Sequence, residues 1–156
     1  LTGHRVLSTV HTNDAAGAIT RLIDMGIEPF LVASVLMVSF AQRLVRRVCP
    51  VCSQPLEPTP EALVYWGLTS EPGVEFRQAV GCDSCRHSGY QGRCGIFEVL
   101  VVDEYMQEMI THREPAQRIA DAARGEGGMK TLKADAAQKV KQGIPHPEAA
   151  MSTVKA

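Results

Sequence analysis

His4-Arg-Val-Leu-Ser-Thr-Val-His-Thr-Asn-Asp14 is the stretch on which the fold reading turns. Val6 to Val10 is a short β-branched, largely apolar run, and Thr2-Gly3 before it is a turn signal. Such a run predicts a buried strand. Thr12, Asn13 and Asp14 are N-cap candidates, so a helix should follow at once and run to about Met25. Ile19, Leu22 and Ile23 would form its apolar face, and Gly26 would stop it. In open α/β sheets ligands bind outside the carboxyl ends of strands, and a helix N-terminus favours anions. Thr9, His11, Thr12 and Asn13 stand at that end, with His4 before the run. His11 is thus a candidate phosphate contact or a turn and capping residue, the position alone leaving both open.

Further along, Pro29 suits the first turn of a second helix through about Phe40, apolar on nearly all sides and so expected to be buried. Arg43 to Val48 reads either as an extension of that helix or as a strand carrying Leu44 and Val48. Ser53 to Pro60 contains Pro55, Pro58 and Pro60 and is expected to be a loop. Glu61 to Gly67 is expected to form one or two helical turns, and Arg93 to Val102 a strand. Later helices are expected over Asp103 to Ile110, Pro115 to Arg124, Met129 to Gln142 and briefly after Pro147. Gly125, Gly127, Gly128 and Gly143 supply the breaks. Gly125-Glu-Gly-Gly-Met-Lys-Thr131 is not a phosphate loop, because Met129 separates Gly128 from Lys130 and the preceding segment is helical in pattern.

The chain has 156 residues, 45% hydrophobic and 21% charged, which excludes a wholly disordered chain. Its formal net charge of -1 argues against a generally basic nucleic-acid binder. The longest charge-free apolar stretch, Pro29 to Gln42, is shorter than the about 18 residues of a membrane span. No signal peptide is evident, and a cytosolic location is expected.

Four of the five cysteines form two pairs, Cys49-Pro-Val-Cys52 and Cys82-Asp-Ser-Cys85. Two thiolates three positions apart can grip one ion in a tight turn, and two such turns complete a tetrahedral shell. Cys49, Cys52, Cys82 and Cys85 are therefore the candidate ligands of a structural zinc ion. Thiolates also hold iron–sulfur clusters, although those motifs are usually more tightly spaced. The alternatives are two reduced, unligated pairs, or His87 replacing one ligand rather than serving as a polar loop residue. Cys94 falls within the later strand, where a buried inert thiol is expected. If the flanking strands pair, the metal closes a long Pro-rich excursion that local contacts alone would not close.

Taken together, Thr2-Gly-His-Arg-Val-Leu-Ser-Thr-Val-His-Thr-Asn-Asp-Ala15 resembles the histidine box of the secretion ATPases, the family of the type II secretion and type IV pilus assembly ATPases. Ala18 to Phe30, Ala41-Gln-Arg-Leu-Val-Arg-Arg-Val-Cys-Pro-Val-Cys52, Gly81 to Cys85 and Gly89-Tyr-Gln-Gly-Arg-Cys-Gly-Ile-Phe-Glu98 continue the resemblance. It covers Leu1 to about Gly143 and is nearest to the type II secretion branch. It implies an α/β fold: the C-terminal part of a RecA-like P-loop NTPase domain, with an inserted tetracysteine zinc subdomain and a C-terminal helical tail. Residues 1–48 would belong to the ATPase core, 49–92 to the zinc subdomain, and 93–156 to a core strand and the helical region. His4 and His11 match the two histidines of the box, His11 the one nearer the γ-phosphate, and the four cysteines match the zinc ligands. Arg21 lies in a matched stretch without a derivable nucleotide role, and could simply pair with a neighbouring helix.

The parent protein is expected to use ATP and Mg2+, to form a homo-hexamer, and to work with inner-membrane secretion platform proteins at the cytoplasmic face of the inner membrane. It would drive pseudopilus assembly and protein export. The family's Walker A, aspartate box and Walker B precede its histidine box and do not occur in this sequence. The chain is therefore expected to be a C-terminal fragment that hydrolyses no ATP alone. The competing reading is a zinc-dependent module that binds a membrane partner or nucleic acid, motivated by Arg43, Arg46 and Arg47 beside the first cysteine pair. Acids outnumber basic residues from Ser53 to Leu100 and aromatics are few, which weighs against nucleic acid.

Overall fold

The computed structural model describes residues 3–69, 72–125 and 128–155. Leu1, Thr2 of the expected turn and Gly127 of the expected break lie outside them. The elements in chain order are α1 (Ala15–Asp24), α2 (Pro29–Val35), β1 (Val38–Val48), β2 (Gln54–Leu56), α3 (Pro60–Trp66), β3 (Phe76–Gln78), a single 3-10 turn (Asp83–Cys85), β4 (Tyr90–Val101), α4 (Glu104–Thr111), α5 (Ala116–Gly125), α6 (Leu132–Lys141) and α7 (Pro147–Lys155). β1 pairs with β4, and β2 pairs antiparallel with β3. The Cys49 N–H bonds the Gly89 carbonyl and the Val102 N–H bonds the Met37 carbonyl, each at 2.9 Å. β1 and β4 therefore run in opposite directions.

The chain divides into two compact units. The first comprises Leu1–Ala41 and Val99–Met129. Its core joins Ala15 and Ile19 of α1, Val32 of α2, Leu100 of β4, Met106 and Ile110 of α4, and Ile119 of α5. Asp14 caps α1, its carboxylate accepting the Gly17 N–H at 2.7 Å, which satisfies a donor the helix itself leaves open. Ser39, buried at the start of β1, donates to the Ala15 carbonyl at 2.8 Å.

The second unit comprises Gln42–Glu98 and Lys130–Ala156. Here α6 is fastened to β4 by side-chain acceptors. The buried Glu98 carboxylate takes the Leu132 N–H at 3.3 Å, and Asp135 takes the Phe97 N–H at 2.8 Å while pairing with Lys139. The Val48 N–H bonds the Ile144 carbonyl at 3.0 Å, which ties the end of β1 to the turn after α6.

Several expectations change. Val6 to Val10 is not a strand. It has no regular secondary structure and is mostly solvent-facing, with Val6 81% and Leu7 94% exposed. A β-branched run favours a pleated, half-buried surface, and neither sheet among the described residues extends to it. The second helix ends at Val35 rather than about Phe40, and residues from Val38 to Val48 form one strand. The long partner β4 decides this, since an apolar run alone does not distinguish helix from strand. That helix is also not wholly buried: Pro29, Val32 and Ala33 face the core, and Phe30, Leu31 and Val35 face solvent. The Ser53 to Pro60 segment contains β2, and β4 begins at Tyr90 rather than Arg93. The sixth helix starts at Leu132, where Thr131 supplies the cap, not at Met129.

Candidate metal centre

β1 carries Cys49 to the mouth of a turn. The Cys49 N–H continues the ladder with Gly89, and its carbonyl accepts the Ser53 N–H at 2.9 Å, closing the loop that holds Cys52. Cys82 opens the second loop, whose 3-10 turn ends at Cys85. The Cys82 carbonyl accepts the His87 N–H at 2.8 Å, and Ser88 donates its hydroxyl to the Cys85 carbonyl at 2.6 Å. Arg86 and His87 are both left-handed, at φ 53° and 60°. The loop thereby turns back sharply enough to bring Gly89 beside Cys49. Arg77 of β3 braces the first loop, donating to the Ser53 hydroxyl and carbonyl, each at 2.9 Å.

These loops place the four sulfurs of Cys49, Cys52, Cys82 and Cys85 within 4.8 Å of one another. The Cys52–Cys85 and Cys82–Cys85 separations are 3.9 and 3.8 Å. A tetrahedron with metal–sulfur bonds of about 2.3 Å has edges of about 3.8 Å. The residues present fit a four-coordinate ion, and the cysteines are positioned to bind one. Four thiols are the donor set of zinc or an iron–sulfur centre, not of magnesium or calcium. Backbone N–H groups point at the sulfurs as well, Gly81 at Cys52 (3.3 Å) and both Cys82 and Gly89 at Cys85 (3.2 Å each). Such donors spread the negative charge of thiolates and hold each sulfur in place.

The same contacts divide the thiols electrostatically. Burial pushes Cys52 up to about 11, against the pull of the Gly81 N–H and with the help of the neighbouring thiols. Burial also acts to raise Cys85, but the N–H groups of Cys82 and Gly89, with the Cys82 and Cys52 thiols, outweigh it and bring Cys85 to about 6. Cys94 is half-buried, and burial raises its thiol above the ordinary value despite Lys139 and Arg47.

The remaining candidates stand apart from this cluster. His87 is not a member; its ring faces Asp83 at 3.0 Å in an exposed pair. His4 and His11 lie in the exposed segment before α1. Arg21 is exposed near the C-terminal end of α1, with no ion pair among the described residues. The sequence reading missed the supporting parts: Gly81, Gly89 and Arg77. Two of these carried a signal. Gly81 immediately precedes one cysteine pair and Gly89 follows it by four positions, and both adopt the positive φ that favours glycine.

Fold and site together define an α/β protein with four clustered cysteines positioned to bind a metal ion. The sequence model of the family described as Type II/IV secretion system protein matches residues 1–152, and the chain belongs to that family. It is 45% identical over 156 residues to a type II secretion system ATPase E of Vibrio cholerae, covering 99% of this chain and 30% of that protein. It is 46% identical over 146 residues to a type IV pilus assembly ATPase PilB of Thermus thermophilus, covering 92% of this chain and 16% of that protein. Identity reaches 51% over 110 residues with a type II secretion system protein E of Aeromonas hydrophila, covering 70% of this chain and 22% of that one. The chain thus spans less than a third of the length of each of these relatives. No helix among the described residues is long and apolar enough to cross a membrane.

Proposed function

We propose that this chain is the C-terminal portion of a hexameric ATPase that powers protein export by type II secretion, through assembly of a pseudopilus. The observation that carries this reading is the alignment of nearly the whole chain with secretion and pilus ATPases, together with a folded four-cysteine centre. In this reading the first unit completes a RecA-like nucleotide domain. His4 and His11 approach the γ-phosphate from the exposed segment that leads into α1, in the cytoplasm at the inner membrane, with the platform proteins as partners. The exposure of that segment and its position at a helix N-terminus support the role.

Cys49, Cys52, Cys82 and Cys85 hold a structural zinc ion. A closed shell of four protein ligands leaves no position for substrate, so the ion's contribution is folding energy, not chemistry. The chain's own part is to orient the thiolates through the N–H groups of Gly81, Cys82 and Gly89.

Two measurements test this. Protein purified without chelator should contain one zinc per chain, and Cys82→Ser should abolish it; retention of full metal would refute the four-sulfur assignment. The chain alone should show no magnesium-dependent ATP turnover, because the residues that cradle phosphate and hold magnesium do not occur in it. In the full-length protein, His11→Ala should lower kcat by about 100-fold, the scale on which loss of one charge-stabilising donor acts. Unchanged kcat would remove His11 from the nucleotide site.

A further inference from the structure

Beside the cysteine loops, the second unit carries a cleft of about 520 Å3 lined by Leu44, Arg46, Ser88, Tyr90, Gly92 and Arg93. Arg46 and Arg93 both line it and no acid does. Neither Arg46 nor Arg93 has an ion-pair partner among the described residues. Two like charges facing one small space repel, a cost that an incoming anion would reverse. Arg46 is also held in readiness, its guanidinium carbon 4.4 Å from the centre of the Tyr90 ring. A stacked guanidinium has lost much of its freedom before binding, and its fork matches a carboxylate through two parallel hydrogen bonds.

We propose that this cleft binds an acidic segment of a partner protein, the two arginines receiving carboxylates and Leu44 receiving an adjoining apolar side chain. The lining selects this class. A free inorganic anion makes no use of the aliphatic floor. Single-stranded nucleic acid is gripped by aromatic faces stacked on its bases, and the one ring in the cleft already carries Arg46. The chain's net charge of -1 also supplies no broad positive field for a polyanion. The proposal stands on the second unit alone and holds whether or not the ATPase reading does.

The test is a titration of the metal-loaded, 15N-labelled chain with the peptide acetyl-Glu-Leu-Glu-Leu-amide, read from backbone amide and arginine Nε resonances. Acetyl-Gln-Leu-Gln-Leu-amide and inorganic phosphate serve as the comparison probes. Saturable shifts confined to Tyr90, Gly92, Arg93 and Arg46 are expected with the acidic peptide. The glutamine peptide should bind at least tenfold more weakly, and so should phosphate. Arg93→Gln, a change at an exposed strand position, should weaken the acidic peptide about tenfold with the remaining spectrum unchanged. Arg46→Lys should weaken it also, since the charge stays but the stacked fork is lost. Absence of saturable shifts, equal affinity for the glutamine peptide, equal affinity for phosphate, or full binding by Arg93→Gln would each overturn the proposal.

Discussion

Gly81 shows how much of the four-cysteine cluster rests on residues other than the cysteines. Its φ is +122°, and a Cβ there would stand 2.8 Å from the His87 carbonyl oxygen. The backbone cannot yield easily, because the Gly81 N–H is also the donor to the Cys52 sulfur. Gly81→Ala should therefore cost about 1–3 kcal/mol and weaken zinc binding by tenfold or more. Gly92 provides the contrast: its φ is +72° but open space surrounds it. Gly92→Ala should carry only the conformational strain of about 1–2 kcal/mol and leave metal affinity unchanged. Competition titration with a chelator measures both. Equal losses of metal affinity in the two variants would show that the close approach at Gly81 is immaterial.

Trp66 supplies a second residue-scale prediction. It is buried at the end of α3, and its indole N–H has no partner among the described residues. Removing an unsatisfied buried donor returns some of its desolvation cost, whereas removing the ring leaves a cavity. Trp66→Phe should lie within about 1.5 kcal/mol of the wild type. Trp66→Ala should lose about 3–5 kcal/mol, both read from denaturant midpoints. A loss of similar size in both variants would mean that the N–H is satisfied in solution.

Among the elements, legibility in the sequence followed local chemistry. α1 was legible because Asp14 caps it and Gly26 takes the left-handed turn beyond its end. α3 was legible as a short helical stretch ending near Gly67, and α4 as a helical pattern beginning near Asp103, though the capping by Thr59 and Asp103 was not. The cysteine cluster was legible because spacing alone brings two thiols into one turn. The strands were harder. Whether Val38 to Val48 is helix or strand depends on β4, about 50 residues later in the chain, and no local signal records that partnership. β2 and β3 are three residues each and exist as a pair, Leu56 opposite Phe76 and Gln54 opposite Gln78. Val6 to Val10 carries strand composition without a strand partner, so composition misled there.

The shortness of β2 and β3 makes metal removal an element-scale prediction. A lone two-stranded ribbon of this length does not persist in water, so the segment from Cys49 to Gly89 depends on the closed cysteine shell. Chelation should remove amide protection there while α1, α4 and α5 keep theirs, as hydrogen exchange would report. Uniform loss through both units would contradict this. Zinc uptake should also depend on pH in a defined sense. In the metal-free protein at neutral pH, Cys52, raised to about 11, holds its proton, and Cys85, lowered to about 6, has lost it. Binding must expel the Cys52 proton, so affinity rises with pH through the neutral range, and calorimetry in buffers of different ionisation enthalpy should register net proton release.

At the scale of the whole molecule, the family is set by residues spread from the first to the second unit, yet the chain represents less than a third of the relatives named above. Its side chains account for a four-cysteine cluster able to hold a metal ion and a set of helices with ordinary cores, and no phosphate loop occurs in the sequence. The absence of turnover expected of the chain alone belongs to this scale.

Each unit is assembled from two separated stretches of chain, and this has a consequence during synthesis. On the ribosome, α1 and α2 emerge first, but Leu100, Met106, Ile110 and Ile119, which share their core, are made only after the whole intervening segment. That gap of about 60 residues takes roughly 3–12 s at ~5–20 residues per second. For those seconds Ile19 and Val32 lack the contacts that these four residues provide. The four-cysteine segment is translated within the same interval, so it can close before Leu100, Met106, Ile110 and Ile119 are made.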